Sequence, residues 1–477
     1  MRTPIIYLLF LSLLAGLSAA CTDDAVSTSP DDRLSYSTDT VRFDTLFTTV
    51  SSSTERLMVY NTHSKRISIE SIELLGGGTS GFRINVDGMQ GTRFEQIDIA
   101  RRDSLFIFVE ATIDPTGFDL PQRCEDIIEL RYNGLIERIT LEAYGQDAIF
   151  WRGRRIEADT TITAAKPVVV YDSLCVATGV TLTRAPGSRL CFHDKGKLVV
   201  EGTLRAEGTF DNPVTLRGDR PDKLFSNLPY DNMSAQWGGV CLRAGSFDNL
   251  LSHTHLRGTT YGITADSCGT ECEKLRIESC VIKNSNGPLL AAVGARIEAA
   301  NSEFSNGGGP LLQLEGGSYG FTHCTIASLT PFVAVSDAAV SLSNRYYSAS
   351  LGVDVSIPLE RADFLNCLIW GRRTAEVSLT NYQPAGTEEF SFNHLFDHCL
   401  IKASGEDDEN FVSTLWGDDP LFLLIDADNY TYNFTLQPDS PAARQGNPDH
   451  AAAWPLDLNG RPRNQFAPSI GAYEPAE

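Results

Sequence analysis

Positive charge is scarce in this sequence. Its 39 lysines and arginines face 61 aspartates and glutamates, for a formal net charge of −22. So acidic a surface repels nucleic acid and anionic lipid, which excludes non-specific binding to either. It also disfavours a polyuronate ligand unless a local basic cleft or a Ca²⁺ ion offsets the field. Long apolar runs are scarce as well. Ile5 to Leu17 is one, and no later stretch is long and apolar enough to cross a bilayer. Between residues 35 and 147 Cys124 is the only cysteine, which removes the Cys…Trp…Cys pattern of antibody-type domains. No recognisable spacing of metal ligands occurs, so no cofactor is expected.

What the chain does have is a repeat. Six residues return as Leu251-Ser-His-Thr-His-Leu256, Ile277-Glu-Ser-Cys-Val-Ile282, Ala299-Ala-Asn-Ser-Glu-Phe304, Phe321-Thr-His-Cys-Thr-Ile326, Phe364-Leu-Asn-Cys-Leu-Ile369 and Phe396-Asp-His-Cys-Leu-Ile401. Their common spacing is near 22 residues. A second register, Pro288-Leu-Leu-Ala-Ala-Val293, Pro310-Leu-Leu-Gln-Leu-Glu315 and Pro331-Phe-Val-Ala-Val-Ser336, keeps the same period. A third set, Ala295 to Ala299 and Ala338 to Leu342, falls between them. Each period therefore holds three short strands separated by Gly, Asn or Ser turns. No 3.6-residue periodicity appears inside a unit, and the strands are rich in Val, Ile and Phe, which separates the pattern from leucine-rich repeats. A solenoid follows, each coil burying its apolar side against the next. Small or thiol residues at the fourth position of the hexamer should stack inside. Ser, His or Asn just before them should form a bend, because short polar residues tolerate left-handed backbone angles.

This pattern resembles the right-handed parallel β-helix, or pectin-lyase-like, superfamily, with three strands per coil. The resemblance implies an all-β chain with a β-helix over residues 160–402. Residues 403–477, with Ser440-Pro-Ala-Ala-Arg-Gln-Gly446 and Ile470-Gly-Ala-Tyr-Glu474, resemble the closing segment of bacterial surface β-helices and should cap the last coil. Loops around 218–230, 346–358 and 381–389 should leave the coil as insertions.

Ahead of the solenoid, seven alternating stretches between residues 35 and 147 predict an antiparallel β-sandwich. It resembles the Ig-like modules that precede β-helices in bacterial surface lipoproteins. The first residues combine Arg2, the apolar run and Ser18-Ala-Ala-Cys21, a secretory leader over 1–20. Cys directly after small residues resembles the bacterial lipobox, with Ser18 where Leu is usual. That implies lipidation of Cys21 and attachment to the membrane by acyl chains alone. Residues 21–34 read as a disordered acidic tether. Asp23 and Asp24 resemble the export signal of outer-membrane lipoproteins that face the cell exterior.

None of the compact hydrolase or lyase signatures of this superfamily is evident in the sequence, and catalytic residues are left unassigned. Arg205, Arg217, Arg243 and Arg257 are candidates to line a flat face with Tyr230, Trp237 and Tyr261, where rings stack on sugars and guanidinium groups pair with anions. Surface arginines beside capping aromatics are the plainer account of the same residues. Cys268 and Cys272 form a candidate disulfide between coils. His253, His323 and His398 share the bend position with Ser279, Asn301 and Asn366, so they are expected to be structural rather than metal ligands. The expectation is a lipid-anchored surface protein of the outer membrane with a non-catalytic role in binding or adhesion, glycan being the leading candidate ligand. The alternative is a polysaccharide lyase or glycoside hydrolase, and Ca²⁺ enters only under the lyase reading.

Overall fold

The computed structural model describes residues 25–476 except 226, 227, 332, 334, 336 and 385–388. Cys21, Asp23 and Asp24 lie outside the described residues. The chain divides into two compact units, Met1–Asp147 and Ala148–Glu477. No helix among the described residues is long and apolar enough to cross a membrane.

The first unit is a two-sheet β-sandwich. Val26–Ser27, Arg66–Leu74, Gln122–Tyr132, Leu135–Gln146 and Thr40–Phe47 make one sheet in that order, with Arg93–Ile99 on Arg66–Leu74. Ser35–Tyr36, Glu55–Asn61, Asp103–Ala111, Phe82–Val86 and Met89–Gly91 make the other. Alternation works as the period of two demands: Leu57, Val59, Ile107 and Val109 are wholly buried between the sheets, and the residues between them face outward. All seven expected strands are present. Two expectations are corrected. The sandwich is not purely antiparallel, since Leu135–Gln146 runs parallel to Thr40–Phe47. Nor is the whole of 21–34 a loose tether: Val26–Ser27 adds to the edge at Arg66–Ile67, and Leu34 is buried with its amide donating to Tyr132 Oη at 2.9 Å.

The second unit is a parallel β-helix with three sheets. One coil shows the logic. Glu273–Glu278, Val281–Ser285 and the first half of Leu290–Ala300 run in succession on three sides. Each pairs in parallel with its counterpart one coil later: Ile277 with Ala299, Ile282 with Phe304, Leu290 with Leu312. Every backbone polar group of a rung thus finds a partner above and below, which a lone coil could not provide. We call the side carrying Val281–Ser285 the first sheet, that carrying Leu290 to Ala292 the second, and that carrying Glu273–Glu278 the third. Coiling begins at Ile149–Ile156, paired with Val168–Val176, and continues to Leu415–Trp416, so the helix extends beyond 160–402 at both ends.

The interior is built by the hexamer. Its third residue has a left-handed φ in all six copies: 44° at His253, 50° at Ser279, 49° at Asn301 and His323, 54° at Asn366, 50° at His398. That bend turns the chain from the third sheet to the first and points the next residue inward. Thr254, Cys280, Ser302, Cys324, Cys367 and Cys399 accordingly show no exposure. Their side chains reach across coils, as when Ser302 Oγ accepts the Cys280 amide at 3.0 Å and Cys399 Sγ meets Phe364 O at 3.1 Å. Burial pushes the Cys280 thiol up to about 12, which leaves it an inert space-filler. The hexamer's first residue makes a ring stack from Phe321 through Phe364 and Phe396 to Phe411, with centroids 4.9, 4.7 and 4.9 Å apart. Each such pair adds roughly 0.5–1.5 kcal/mol beyond area burial.

One register differs from expectation. Val340–Ser343, not the run after Pro331, supplies the second-sheet rung below Leu312 to Glu315. Residues 332, 334 and 336 of the Pro331 run lie outside the described residues. The insertion after Tyr346 is an antiparallel hairpin, Arg345–Ser348 with Val353–Ser356.

The tail does not simply cap the last coil. Phe422, Phe434, Leu436, Ile470, Ala472 and Tyr473 pack on Ala327, Leu368 and Leu400, the outward residues of the first sheet. The bend ladder holds this segment in place. Arg463 Nη2 donates to Asn301 Oδ1 at 2.7 Å, His323 Nδ1 donates to Gly471 O at 3.2 Å, and Asn447 N donates to Asn366 Oδ1 at 2.7 Å. His450 Nε2 meets Asp397 Oδ2 at 2.6 Å. Outward apolar residues at these rungs made a one-sided core impossible, so the chain returns to cover them.

Candidate functional site

The first sheet carries a basic column. The residue three places after the buried hexamer position points outward, and in successive rungs it is Arg217, Arg257, Lys283 and Ser305. Neighbouring rungs lie about 4.8 Å apart, so the three cations are packed side by side. The loop before Trp237 answers two of them. Asp231 accepts from Arg217 Nη2 at 2.9 Å and from Arg257 Nη2 at 2.8 Å. Arg257 is mostly buried, and burial lowers its pKa while Asp231 opposes the shift. Lys283 is half-buried and has no hydrogen bond or ion pair among the described residues.

Beside this column a cleft of about 210 Å³ opens, with Asn232 and Met233 on one wall, Asn284 and Asn306 on its floor and Tyr430 opposite. It runs into a recess of about 30 Å³ lined by Lys283, Glu303, Ser305, Tyr432 and Phe434. The two walls come from the 219–235 insertion and from the tail hairpin Phe422–Asp426 with Thr431–Leu436. They are tied by Asn232 Nδ2 donating to Tyr430 O at 3.2 Å. Asn284 and Asn306 have φ of 58° and 57°, a second bend ladder that turns the chain off the first sheet. Asn284 Nδ2 donates to Asp231 O at 3.1 Å. Glu303 is buried, accepting Ser305 Oγ at 2.5 Å and the hydroxyl of Tyr473. Burial and Glu303 together push the Tyr473 phenol well above its ordinary value.

Among the described residues the cleft offers one unpaired cation, two amides, a tethered carboxylate and aromatic walls. A 210 Å³ space lies below the 300–1,000 Å³ usual for drug-sized ligands, so it suits one sugar-sized unit or a chain end.

The expected face divides. Arg217, Arg257 and Tyr230 do come together around Asp231, although the Tyr230 ring is covered by Arg220, 4.2 Å from its centroid. Trp237 is a core residue, not a surface platform: it shows no exposure, stacks on Phe192 at 4.4 Å and donates its Nε1–H to Arg257 O at 2.8 Å. Arg205 lies on the third sheet, paired with Glu207, and Arg243 follows a second-sheet strand, paired with Asp266. Tyr261 is exposed at a turn away from both. A single flat Arg–aromatic face is therefore absent, because adjacent positions in sequence turn onto different sides of the coil. Cys268 and Cys272 are free thiols rather than a disulfide. The Cys268 Sγ is directed at Cys272 O, 3.7 Å away, in a turn held by Ser267 Oγ donating to Gly294 O. Lys283, Asp231 and Tyr430 were not singled out from the sequence. Counting three places on from each hexamer's buried residue exposes the Arg257, Lys283 series; nothing local marks Asp231 or Tyr430.

Fold and cleft together define a β-sandwich joined to a parallel β-helix with a lateral cleft roofed by its own insertion and tail. No known protein family matches the sequence, and no curated relative does. Among solved structures, the pectate lyase Pel9A aligns over 69% of this chain and 88% of its own, with 12% identity and a TM-score of 0.31. The catalytic unit of a thermostable GH87 α-1,3-glucanase from Streptomyces thermodiastaticus aligns over 76% and 88%, with 9% identity and a TM-score of 0.18. A family 123 glycoside hydrolase from Clostridium perfringens aligns over 25% of this chain and 30% of its own length, at 8% identity and a TM-score of 0.18. The fold assignment rests on the strand pairings, not on these likenesses.

Proposed function

We propose that this chain is a lipid-anchored protein of the bacterial outer membrane, facing the exterior, that binds glycan through the first-sheet cleft without turning it over. The observation that carries the ligand reading is Lys283: a half-buried cation without a partner among the described residues, on the wall of a cleft of sugar size. It supports an anionic sugar, because a carboxylate would satisfy the ammonium with a charge-assisted hydrogen bond. The basic column is the local offset that a chain of net charge −22 needs for such a ligand. The anchor reading rests on the leader and Cys21.

The test is a glycan panel on the mature protein, read for binding and for product, with and without Ca²⁺. Uronate-bearing glycans are expected to bind, and Lys283→Ala is expected to weaken them about tenfold or more, the loss of one charged hydrogen bond. Equal binding by the variant would sink the assignment of the cleft. One observation favours the lyase alternative: Lys283 and the carboxylate of Glu303 share the recess, an arrangement of base and acid. Unsaturated uronate product, lost in Lys283→Ala, would replace the binding reading with that one. Metabolic labelling with a fatty acid, lost in Cys21→Ala, tests the anchor, and protease treatment of intact cells tests the outward face.

A further inference from the structure

A second opening lies wholly within the sandwich. It has a volume of about 740 Å³, inside the range of small-molecule sites. Its base is the outer face of the sheet containing Asp103–Ala111 and Phe82–Val86. A row of residues crosses that face in register, Arg56 beside Phe108, Phe108 beside Asn85, Asn85 beside Gln90. Phe108 is 40% exposed, and so is Phe106 two residues earlier on the same face. Their rings lie within 12° of parallel at 6.3 Å. Exposed phenylalanines on a sheet face have no place in the core, whose residues alternate with them.

The neighbouring amide is the second observation. Asn85 Oδ1 is shielded from solvent yet accepts no hydrogen bond among the described residues. A buried acceptor without a donor is costly, and a ligand hydroxyl would remove that cost. Charge points the same way. Arg83 is spoken for by Glu110 at 3.7 Å and by Thr112 Oγ1 at 2.8 Å, and Glu110 also accepts Thr54 Oγ1 at 2.8 Å. The remaining charge in the lining is the acidic Asp114, and Arg56 beyond it lies over the Phe106 ring, 5.8 Å from its centroid. The lining thus has an aromatic face and two amides in line with it, and its one cation among the described residues, Arg83, is paired.

We infer that this cleft is a binding site for a neutral sugar, with a pyranose ring stacked on Phe108 and its hydroxyls shared between Asn85 and Gln90. Aromatic rings pair with the apolar face of a sugar, and amides both donate to and accept from its hydroxyls. The site is independent of the solenoid cleft and differs from it in charge: Lys283 selects an anion, Asn85 and Phe108 a neutral ring.

The test uses the mature full chain with Cys21→Ala, so that no acyl chain interferes. Affinity electrophoresis through soluble xylan, mannan and mixed-linkage glucan is run beside polygalacturonate. At least one neutral polymer is expected to retard the protein. Asn85→Leu and Phe108→Ala should each weaken that retardation about tenfold or more, while Lys283→Ala leaves it unchanged. Gln90→Ala, at an exposed edge strand, is the second probe should either of the first two lower the melting temperature; it should weaken retardation without affecting folding. No retardation by any neutral polymer, or retardation that survives all three sandwich substitutions, overturns the inference. Loss through Lys283→Ala instead would assign neutral binding to the solenoid and overturn it as well.

Discussion

Gly239 is a position where only glycine fits. Its φ is +98°, and a Cβ there would lie 1.6 Å from the carbonyl oxygen of Tyr261 on the next coil. Gly239→Ala must therefore shift backbone, not a flexible side chain. The expected loss is about 2 kcal/mol or more, read as a lower urea midpoint. Arg184 is the opposite case. It points inward from the third sheet with no exposure, and none of its three guanidinium nitrogens has a hydrogen-bond partner among the described residues. Burial lowers its pKa to about 9. Replacing it with Met should stabilise the protein by about 1–4 kcal/mol. The sign with pH follows from linkage. The unfolded chain keeps its proton above pH 9 while the folded chain gives it up, so wild-type stability recovers as pH rises past about 9. The advantage of Arg184→Met in thermal melts should be full at pH 7 and smaller at pH 10. An advantage that does not change with pH would reject the unpaired charge as its source.

At the scale of elements, the bend ladder has two roles, turning each coil and holding the tail. Asn366 shows both. It has a left-handed φ, its Nδ2 donates to His323 Nε2 at 3.0 Å and to Asn447 O at 2.8 Å, and its Oδ1 accepts Asn447 N. Asn366→Ala should raise hydrogen exchange across residues 440–476 and destabilise by roughly 2–3 kcal/mol, because three hydrogen bonds and a tolerated backbone angle go together. Exchange confined to the bend itself would show that the tail is held by its apolar contacts instead. The sandwich closes on a different device. Asp147 accepts the amides of Thr116 and Gly117 at 2.8 and 2.9 Å, and the hydroxyls of Thr116 and Thr48. Those donors, the Thr116 amide foremost, hold its carboxyl down at about 2. A depressed carboxylate stabilises fully above its unfolded value near 4 and loses that contribution as pH falls toward 2. Asp147→Asn should therefore lower the sandwich's stability at neutral pH and flatten its decline between pH 4 and 2, measured by circular dichroism.

For the whole molecule, the return of the tail decides both solubility and site. Truncation after Trp416 would uncover Ala327, Leu368 and Leu400 on the first sheet and remove one wall of the cleft with Tyr430. The truncated chain should aggregate during purification and, where recovered, show no binding attributable to Lys283. A monodisperse truncation that binds normally would remove the tail from the site. The strand alternation of the sandwich, the hexamer, its inward ladder and its polar bend were legible before any coordinates, because each depends on a local period or on one residue's backbone preference. The second register broke that reading at Pro331, since Val340–Ser343 takes the rung in its place and nothing local marks the change. Trp237 was misplaced for a related reason: whether an aromatic beside a bend turns into the coil depends on Phe192, 45 positions earlier in the chain. By itself the sequence determined the β-helix and the sandwich and offered Arg217 and Arg257 as outward residues, all consequences of repetition at short range, while Lys283, the third cation of their column, was not singled out. Only the tertiary structure decided that Asp231 neutralises two of those cations and leaves the third, and that Tyr430 closes over it. The Asp231 contacts span 14 and 26 positions and the Asn232–Tyr430 contact 198, and nothing in local periodicity encodes where an insertion and a tail come to rest.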